Sequence, residues 1–259
     1  MNGIERFREH FRGFDHAYVL IGGAACEAWL SSSALTFRRT KDLDIVLVVE
    51  ALDAAFVERF RQFVESGGYE VRQKPDGGRR EFYRFLKPQQ PDYPYMLELF
   101  SRAPLGVELV PGQTVVRVPL DEGLASLSVI LMEEGYYELV LSSRYDADGI
   151  PMVGARGLIP LKARAWLDMQ RRKAAGGSVD EADIRKHRND VFRLALTLPG
   201  VPGPAIAEPI KIDLRGFLAA FAEGAEDWPA ILQALKDTGT RLPRPAELVR
   251  AIRTFFDLA

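Results

Sequence analysis

The chain has 259 residues, of which 47% are hydrophobic and 27% charged, a composition that excludes a disordered or fibrous protein and suits one large or two ordinary domains. The net charge of −2 does not by itself indicate a partner. The charge is uneven, because residues 151–200 carry ten Lys and Arg against five Asp and Glu (10 − 5 = +5), which leaves −7 for the remainder. A basic segment suits a phosphate-bearing ligand, although solvated helix faces give the same count.

Cys26 is the single cysteine, so an intramolecular disulfide is excluded, and its apolar neighbours indicate a buried thiol in a reducing compartment. The first ten residues carry charges where a signal peptide has its apolar core, and no apolar run approaches the length of a membrane span. We therefore expect a cytoplasmic protein with no membrane partner.

The first hundred residues predict alternating helices and strands. Apolar residues at helical or alternating spacing predict helices over 4–14, 24–30 and 52–66, and strands over 18–21, 42–49, 69–73, 81–86 and 95–100. Gly22-Gly23 separates the first strand from the second helix, and Gly67-Gly68 is a C-cap signal for the third helix.

The rest of the chain changes from β-forming to helical texture near Pro160. Between Val107 and Met152 we expect extra strands over 114–118, 126–132 and 136–141. After Pro160 we expect helices over 161–173, 179–198, 214–223, 228–236 and 245–258, the second of them starting at the capping pair Ser178 and Glu181. The expected fold is therefore α+β, a mixed β-sheet with flanking helices over residues 1–155 followed by a C-terminal helical domain over 156–259.

Asp42 and Asp44 stand at the head of an apolar strand. Side chains two residues apart on a strand project from the same face, so the two carboxylates lie close together. Such a pair is costly unless a proton is shared or a divalent cation lies between them, which favours a metal site of oxygen ligands. The alternative is that both acids stay solvated and cap a turn. The apolar run follows the acids, which argues against dehalogenase-like phosphatases and Asp-x-Asp sugar transferases.

Ile21-Gly22-Gly23, the doublet Asp42-Leu43-Asp44-Ile45 and a later acid on a strand, Glu98, together resemble the signature of the nucleotidyltransferase superfamily typified by DNA polymerase β. Gly22-Gly23-Ala24-Ala25 with the run before the doublet is closer to the abortive-infection and toxin-type members. In that group Arg-x-Thr-x-Asp-hydrophobic-Asp is typical, and this chain reads Arg39-Thr40-Lys41, or Arg38-Arg39-Thr40 counted with the spacer. The resemblance covers about residues 18–100 and 158–194.

The resemblance implies a nucleotidyltransferase domain over 1–155 that transfers a nucleoside monophosphate from an NTP to a hydroxyl acceptor and releases pyrophosphate. The implied metal ligands, for Mg²⁺ or Mn²⁺, are Asp42, Asp44 and Glu98. The implied nucleotide-binding residues are Gly22, Gly23, Arg39, Thr40, Lys186 and Asp190. Lys162 is an implied catalytic residue that stabilises phosphate charge, and Glu98 is also a candidate to accept the hydroxyl proton.

Each assignment has a structural alternative. Glu98 could pair with Arg84 across a hairpin, and Lys162, Lys186 and Asp190 could be solvated or structural. The acceptor is open between a tRNA end, a protein side chain and a small molecule such as an antibiotic, and an antitoxin is a further expected partner. A non-catalytic binding protein on the same scaffold also stays open. The three histidines are scattered, which argues against a zinc site.

Overall fold

The computed structural model describes residues 2–71, 83–103, 115–117, 127–236 and 242–258. The helices are α1 (Ile4–His10), α2 (Gly22–Ser32), α3 (Ala54–Gly67), α4 (Glu134–Ser142), α5 (Ala155–Ala174), α6 (Glu181–Ala195), α7 (Glu208–Ala219), α8 (Trp228–Leu235) and α9 (Pro245–Phe256). The strands are β1 (Tyr18–Ile21), β2 (Asp42–Leu47), β3 (Glu70–Val71), β4 (Arg84–Leu86), β5 (Met96–Ser101), β6 (Val115–Arg117), β7 (Ser128–Leu131), β8 (Arg144–Ala147) and β9 (Ile150–Val153).

The strands form one mixed sheet with the order β3-β4-β5-β2-β1-β9-β8. β2 is antiparallel to β1 and parallel to β5, and β1 is parallel to β9. β4 pairs with the first half of β5, whereas β7 pairs with its last two residues and carries β6 at its other edge. The structure is therefore a mixed fold of helices and one mixed sheet, which is compatible with the predicted α+β class.

Two compact units make up the chain. The first unit comprises residues 1–25 and 39–153 and contains the whole sheet, and the second comprises residues 26–38 and 154–259 and contains α5 to α9. That residues 1–155 and 156–259 are two independently folding domains stays a prediction. In the described ranges no helix is both long enough and apolar enough to cross a membrane.

The core of the first unit is an aromatic cluster between the sheet and the helices α1 and α3. Phe7 of α1 and Phe11, which directly follows α1, contact Phe63 of α3 and Tyr18 of β1, with ring centroids 5.3 to 5.9 Å apart. Burial of such large apolar side chains is the main favourable term in folding, and edge-to-face ring contacts add to it. The phenylalanine spacing that predicts these two helices is therefore the spacing that builds this core.

The second unit has its own aromatic core. Trp166 of α5, Phe192 of α6, Phe217 of α7 and Trp228 of α8 contact one another or Phe221, with ring centroids 4.8 to 6.2 Å apart. Each of these helices contributes an aromatic residue to one cluster, so α5 to α8 pack as a bundle. The helical character predicted from residue 160 onward is confirmed.

Two sequence predictions need correction, and one hairpin was not predicted. Residues 136–141 belong to the helix α4 instead of a strand, because the buried Tyr136, Tyr137, Leu139 and Val140 are a helical stripe within a short apolar run. The N-cap of α6 is Asp180, whose side chain accepts from the backbone N–H of Ala182, and not Ser178.

The hairpin of β8 and β9 is the element that we did not predict. Its turn contains Asp148 and Gly149, both with positive φ, and Asp146 accepts a hydrogen bond from the N–H of Gly149. An Asp-Gly pair is a recognised hairpin signal, so the sequence did contain this information. The predicted turn at residues 75–78 and much of the predicted 107–126 region lie outside the described residues.

Candidate functional site

A row of three charged residues crosses three adjacent strands of the first unit. Arg84 on β4 is the cross-strand partner of Glu98 on β5, and Glu98 is the partner of Asp44 on β2. Directly paired residues share a face of a sheet, and neighbouring strands lie about 4.8 Å apart. Phe85, the next residue on β4, packs on Phe60 of α3, so the charged row lies on the face opposite α3. The sheet therefore places Asp44 and Glu98 side by side.

Asp42 lies two residues before Asp44 on β2 and is the partner of Met96, so its side chain projects from the same face. Asp42, Asp44 and Glu98 therefore occupy neighbouring positions of one face, as the strand register requires. Both aspartates are partly buried. The strand register thus places the three predicted carboxylates at neighbouring positions of one sheet face, and their action as one site stays a prediction.

Gly22 and Gly23 begin α2 and lie directly against this acidic face. Gly22 has φ +69°, which favours glycine, and a Cβ there would collide with the carboxylate of Asp44. A Cβ on Gly23 would lie 2.6 Å from Cγ2 of Thr40. The glycine pair therefore allows the start of a helix, with its positive dipole end, to approach the acidic face closely.

Glu98 is engaged by Arg84. Nε of Arg84 donates to Oε1 of Glu98 at 2.5 Å, and Nη2 donates to the same oxygen. This contact is the structural alternative that the sequence left open for Glu98. Within the described ranges, no three His, Cys, Asp or Glu side chains are arranged as a group that could hold a metal ion. The donor chemistry of Asp42, Asp44 and Glu98 fits a hard divalent cation, but the third carboxylate fits only if it exchanges Arg84 for the metal.

In the second unit, Asp190 and Lys162 are brought together in a buried ion cluster. Arg38 donates from Nη1 and Nη2 to the two carboxylate oxygens of Asp190 at 2.6 and 2.8 Å, and Nζ of Lys162 lies 3.4 Å from Oδ2. Burial raises the pKa of Asp190, but the hydrogen bonds from Arg38 and the charges of Lys162, Arg38 and Arg193 outweigh it, so the pKa lies below its usual range. Arg38 is therefore a central residue that our site prediction omitted, although it opens the Arg-x-Thr run.

The remaining predicted nucleotide-binding residues are more exposed. Lys186 has a side chain 41% exposed and lies 3.8 Å from Asp183 on the same helix, so it does not join the Asp190 cluster through an ion pair. Arg39 is exposed in the connection before β2. The structure therefore groups most of the predicted residues into the acidic face in the first unit and the Asp190 cluster in the second, whereas the contacts of Lys186 and Arg39 place them in neither group.

His187 lies on α6 within reach of the same cluster. Its Nδ1 atom is buried and, among the described residues, has no hydrogen-bond partner. Burial, followed by the charges of Lys162, Lys186 and Arg38, lowers the pKa of His187 to about 3, while Asp190 acts in the opposite direction. The ring is therefore neutral near pH 7 and costly to protonate.

The basic segment is largely neutralised within the second unit. Seven of its ten cations lie within ion-pairing distance of a carboxylate: Lys162, Arg164, Arg171, Lys173, Lys186, Arg188 and Arg193. In such pairs the carboxylate compensates the charge of the cation. Less electrostatic attraction then remains for a polyanion such as nucleic acid. The local excess of +5 therefore does not single out a nucleic-acid surface.

In comparisons with known proteins, the chain matches no protein-family model and no curated protein is significantly similar in sequence.

Proposed function

We propose that this chain is a metal-dependent nucleotidyltransferase that transfers a nucleoside monophosphate from an NTP to a hydroxyl acceptor. The observation that carries the proposal is the position of Asp44, which lies beside Glu98 on the neighbouring strand and against Gly22 at the start of α2. An acidic face and a helix N-terminus at one place supply metal ligands and a triphosphate cradle together.

Each group of the first unit has a role in this proposal. Asp42 and Asp44 hold Mg²⁺ or Mn²⁺, which supplies charge neutralisation for the phosphates and lowers the pKa of the attacking hydroxyl. The N–H groups at Gly22 and Gly23 orient the triphosphate, since glycine carries no side chain of its own that would obstruct the approach. Glu98 is the third carboxylate, as a metal ligand or as the acceptor of the hydroxyl proton.

The proposed reaction balances without a further co-reactant. The acceptor oxygen forms a bond to the α-phosphorus of the NTP, and the bond from that phosphorus to the oxygen bridging to the β-phosphate breaks. Pyrophosphate leaves with the bonding electrons, and the hydroxyl proton passes to a carboxylate or to solvent. Geometry and electrostatics dominate such phosphoryl chemistry, which suits a site built from carboxylates and backbone N–H groups.

The Asp190 cluster has a different place in this proposal. Lys162 and Asp190 were implied as contacts to phosphate or pyrophosphate, but Asp190 is enclosed by Arg38, Lys162 and Arg193. A carboxylate with three cationic partners positions those cations and does not itself bind an anion. We propose that Asp190 positions Lys162 and Arg38, and the phosphate contacts expected of Lys162 and Lys186 stay predictions.

The test is transfer of label from each α-labelled NTP, with Mg²⁺, to total RNA, to protein or to small-molecule hydroxyls. We expect transfer that stops on chelation and is abolished in Asp44→Ala, while the unfolding temperature of that variant stays near that of the unaltered protein. The matched control is Asp148→Asn in the β8–β9 turn. β9 runs parallel to β1, the turn comes before β9, and Gly22 comes after β1. The turn and Gly22 therefore lie at opposite ends of these two strands. The control should keep full transfer.

The acceptor that receives label separates the candidate functions. Label on a tRNA end favours a toxin-type enzyme with an antitoxin partner, and label on an antibiotic favours a resistance enzyme. If no acceptor receives label and Asp44→Ala binds NTP as the unaltered protein does, the chain is a non-catalytic binding protein and the proposed activity is wrong.

A further inference from the structure

The charged row across β4, β5 and β2 consists of one cation followed by two carboxylates. Arg84, Glu98 and Asp44 follow one another as positive, negative, negative, each directly opposite the next. Like charges directly opposite on neighbouring strands destabilise a sheet, and the cost grows when the side chains are buried. The side chain of Glu98 is only 11% exposed. Arg84 therefore supplies the positive charge that allows two adjacent carboxylates on this face.

A divalent cation would supply the same compensation at the same carboxylate. We propose that Arg84 and a divalent cation compete for Glu98, and that the triphosphate of the nucleotide attracts the released guanidinium, so that metal and nucleotide favour each other's binding. Arg84 is then a positioning residue that couples the two ligands. This inference rests on the proposed function, because it requires that Glu98 ligates the metal.

The contacts of Arg84 are suited to such an exchange. Both of its hydrogen bonds go to one oxygen, Oε1 of Glu98, and its side chain is 28% exposed, so the guanidinium is closer to solvent than its partner. In the described ranges, Arg84 forms no ion pair with a second carboxylate, and its guanidinium carbon lies 5.8 Å from the ring centroid of Tyr83. A planar guanidinium binds phosphate oxygens in the same paired geometry as carboxylate oxygens.

The expected size of the competition follows from the bonds that must be exchanged. Hydrogen bonds to charged groups correspond to about a tenfold to hundredfold change in an equilibrium constant. A metal that must displace Arg84 from Glu98 binds more weakly by that factor. A nucleotide that accepts the released guanidinium restores part of the lost metal affinity. By linkage, the gain in metal affinity caused by nucleotide equals the gain in nucleotide affinity caused by metal.

The experiment measures Mn²⁺ binding to the full chain from the free-ion electron paramagnetic resonance signal, without nucleotide and with α,β-methylene analogues of the four ribonucleoside triphosphates. The variant is Arg84→Gln, and the matched control is Arg61→Gln. Arg61 lies on α3, is 48% exposed and pairs with Glu58 and Glu65, so it has no link to the charged row. We expect Arg84→Gln to bind Mn²⁺ about tenfold more tightly than the unaltered protein without nucleotide, and Arg61→Gln to be unchanged.

With the analogue present, the unaltered protein should gain more Mn²⁺ affinity than Arg84→Gln does. Tightening of less than threefold in Arg84→Gln, or an equal gain from the analogue in both proteins, overturns the inference. If Arg84→Gln does not fold, Arg84→Lys replaces it, because lysine keeps the charge but loses the fork. About threefold tightening is then expected, and unchanged affinity overturns the inference.

Failure of the inference and failure of the proposed function give different results. If the unaltered protein transfers label and binds Mn²⁺ but Arg84→Gln binds Mn²⁺ equally, only the role of Arg84 is wrong. If the unaltered protein neither binds Mn²⁺ nor transfers label, the proposed function is wrong and the inference falls with it.

Discussion

Replacing His187 by Gln is expected to remove most of the acid sensitivity of the second unit between about pH 7 and pH 5. His187 carries a buried Nδ1 atom without a hydrogen-bond partner among the described residues. Its burial and the charges of Lys162, Lys186 and Arg38 lower its pKa to about 3, against the opposing effect of Asp190. Protonation of this ring in the folded protein would place a cation among three others.

The magnitude follows from the difference between the folded and unfolded pKa values. In the unfolded chain the pKa of His187 is 6.5, and in the folded protein it is about 3. Between these values the unfolded state binds the proton and the folded state does not, so the free energy of unfolding falls as the pH falls. At about 1.36 kcal/mol per pH unit once the unfolded histidine is titrated, the loss between about pH 7 and pH 5 is about 2 kcal/mol.

Tryptophan fluorescence reports on this unit alone. The protein has three tryptophans, Trp29, Trp166 and Trp228, and all of them lie in the second unit. Urea unfolding followed by this signal at both pH values gives the free energy of the unfolding transition in which these tryptophans become exposed. The matched control is His16→Gln, because His16 is an exposed histidine in the first unit.

We expect the unaltered protein and His16→Gln to lose about 2 kcal/mol and His187→Gln to lose little. The carboxylate of Asp190 does not interfere, because a lowered pKa means that its contribution is lost only at more acidic pH. An equal loss in His187→Gln, or an NMR titration that places the pKa of His187 near 6.5, would refute this reasoning.

Two further substitutions test the neighbouring interactions. Asp190→Asn should destabilise the second unit by about 3–5 kcal/mol in the same fluorescence assay, because it leaves buried cations without their shared carboxylate. Gly22→Ala should lower stability by more than the about 1–2 kcal/mol cost of a left-handed alanine, because its Cβ would also displace Asp44, and thermal unfolding followed by circular dichroism measures this.

Controls for both substitutions are present in the chain. Asp183→Asn removes a half-exposed acid of the first turn of the same helix and should lower stability by less than about 1 kcal/mol. Gly149→Ala has a similar positive φ, but its Cβ would meet nothing within 4 Å, so it isolates the backbone cost. Equal effects of Asp190→Asn and Asp183→Asn, or of Gly22→Ala and Gly149→Ala, would contradict these two explanations.

Local sequence patterns were sufficient to predict most of the helices and strands. The phenylalanine stripe of α3 and the alternating strand headed by Asp42 bury their apolar residues in the way their spacing requires. The stretch over residues 136–141 was misassigned because its tyrosines and aliphatic residues favour strand and helix alike. Packing decided for the helix, in which the hydroxyl of Tyr137 donates to Glu50.

The sequence by itself determined which residues form the acidic face, because period-two alternation on β2 and a later acid on β5 depend only on local order. Tertiary structure decided what each charge contacts: Arg84 engages Glu98, and Arg38 joins Lys162 on Asp190, 152 residues away from Arg38 in the chain. Ion pairs of this kind depend on strand register and helix packing, which bring distant residues to within a few ångströms. No local pattern specifies such contacts, so they became visible only in the folded chain.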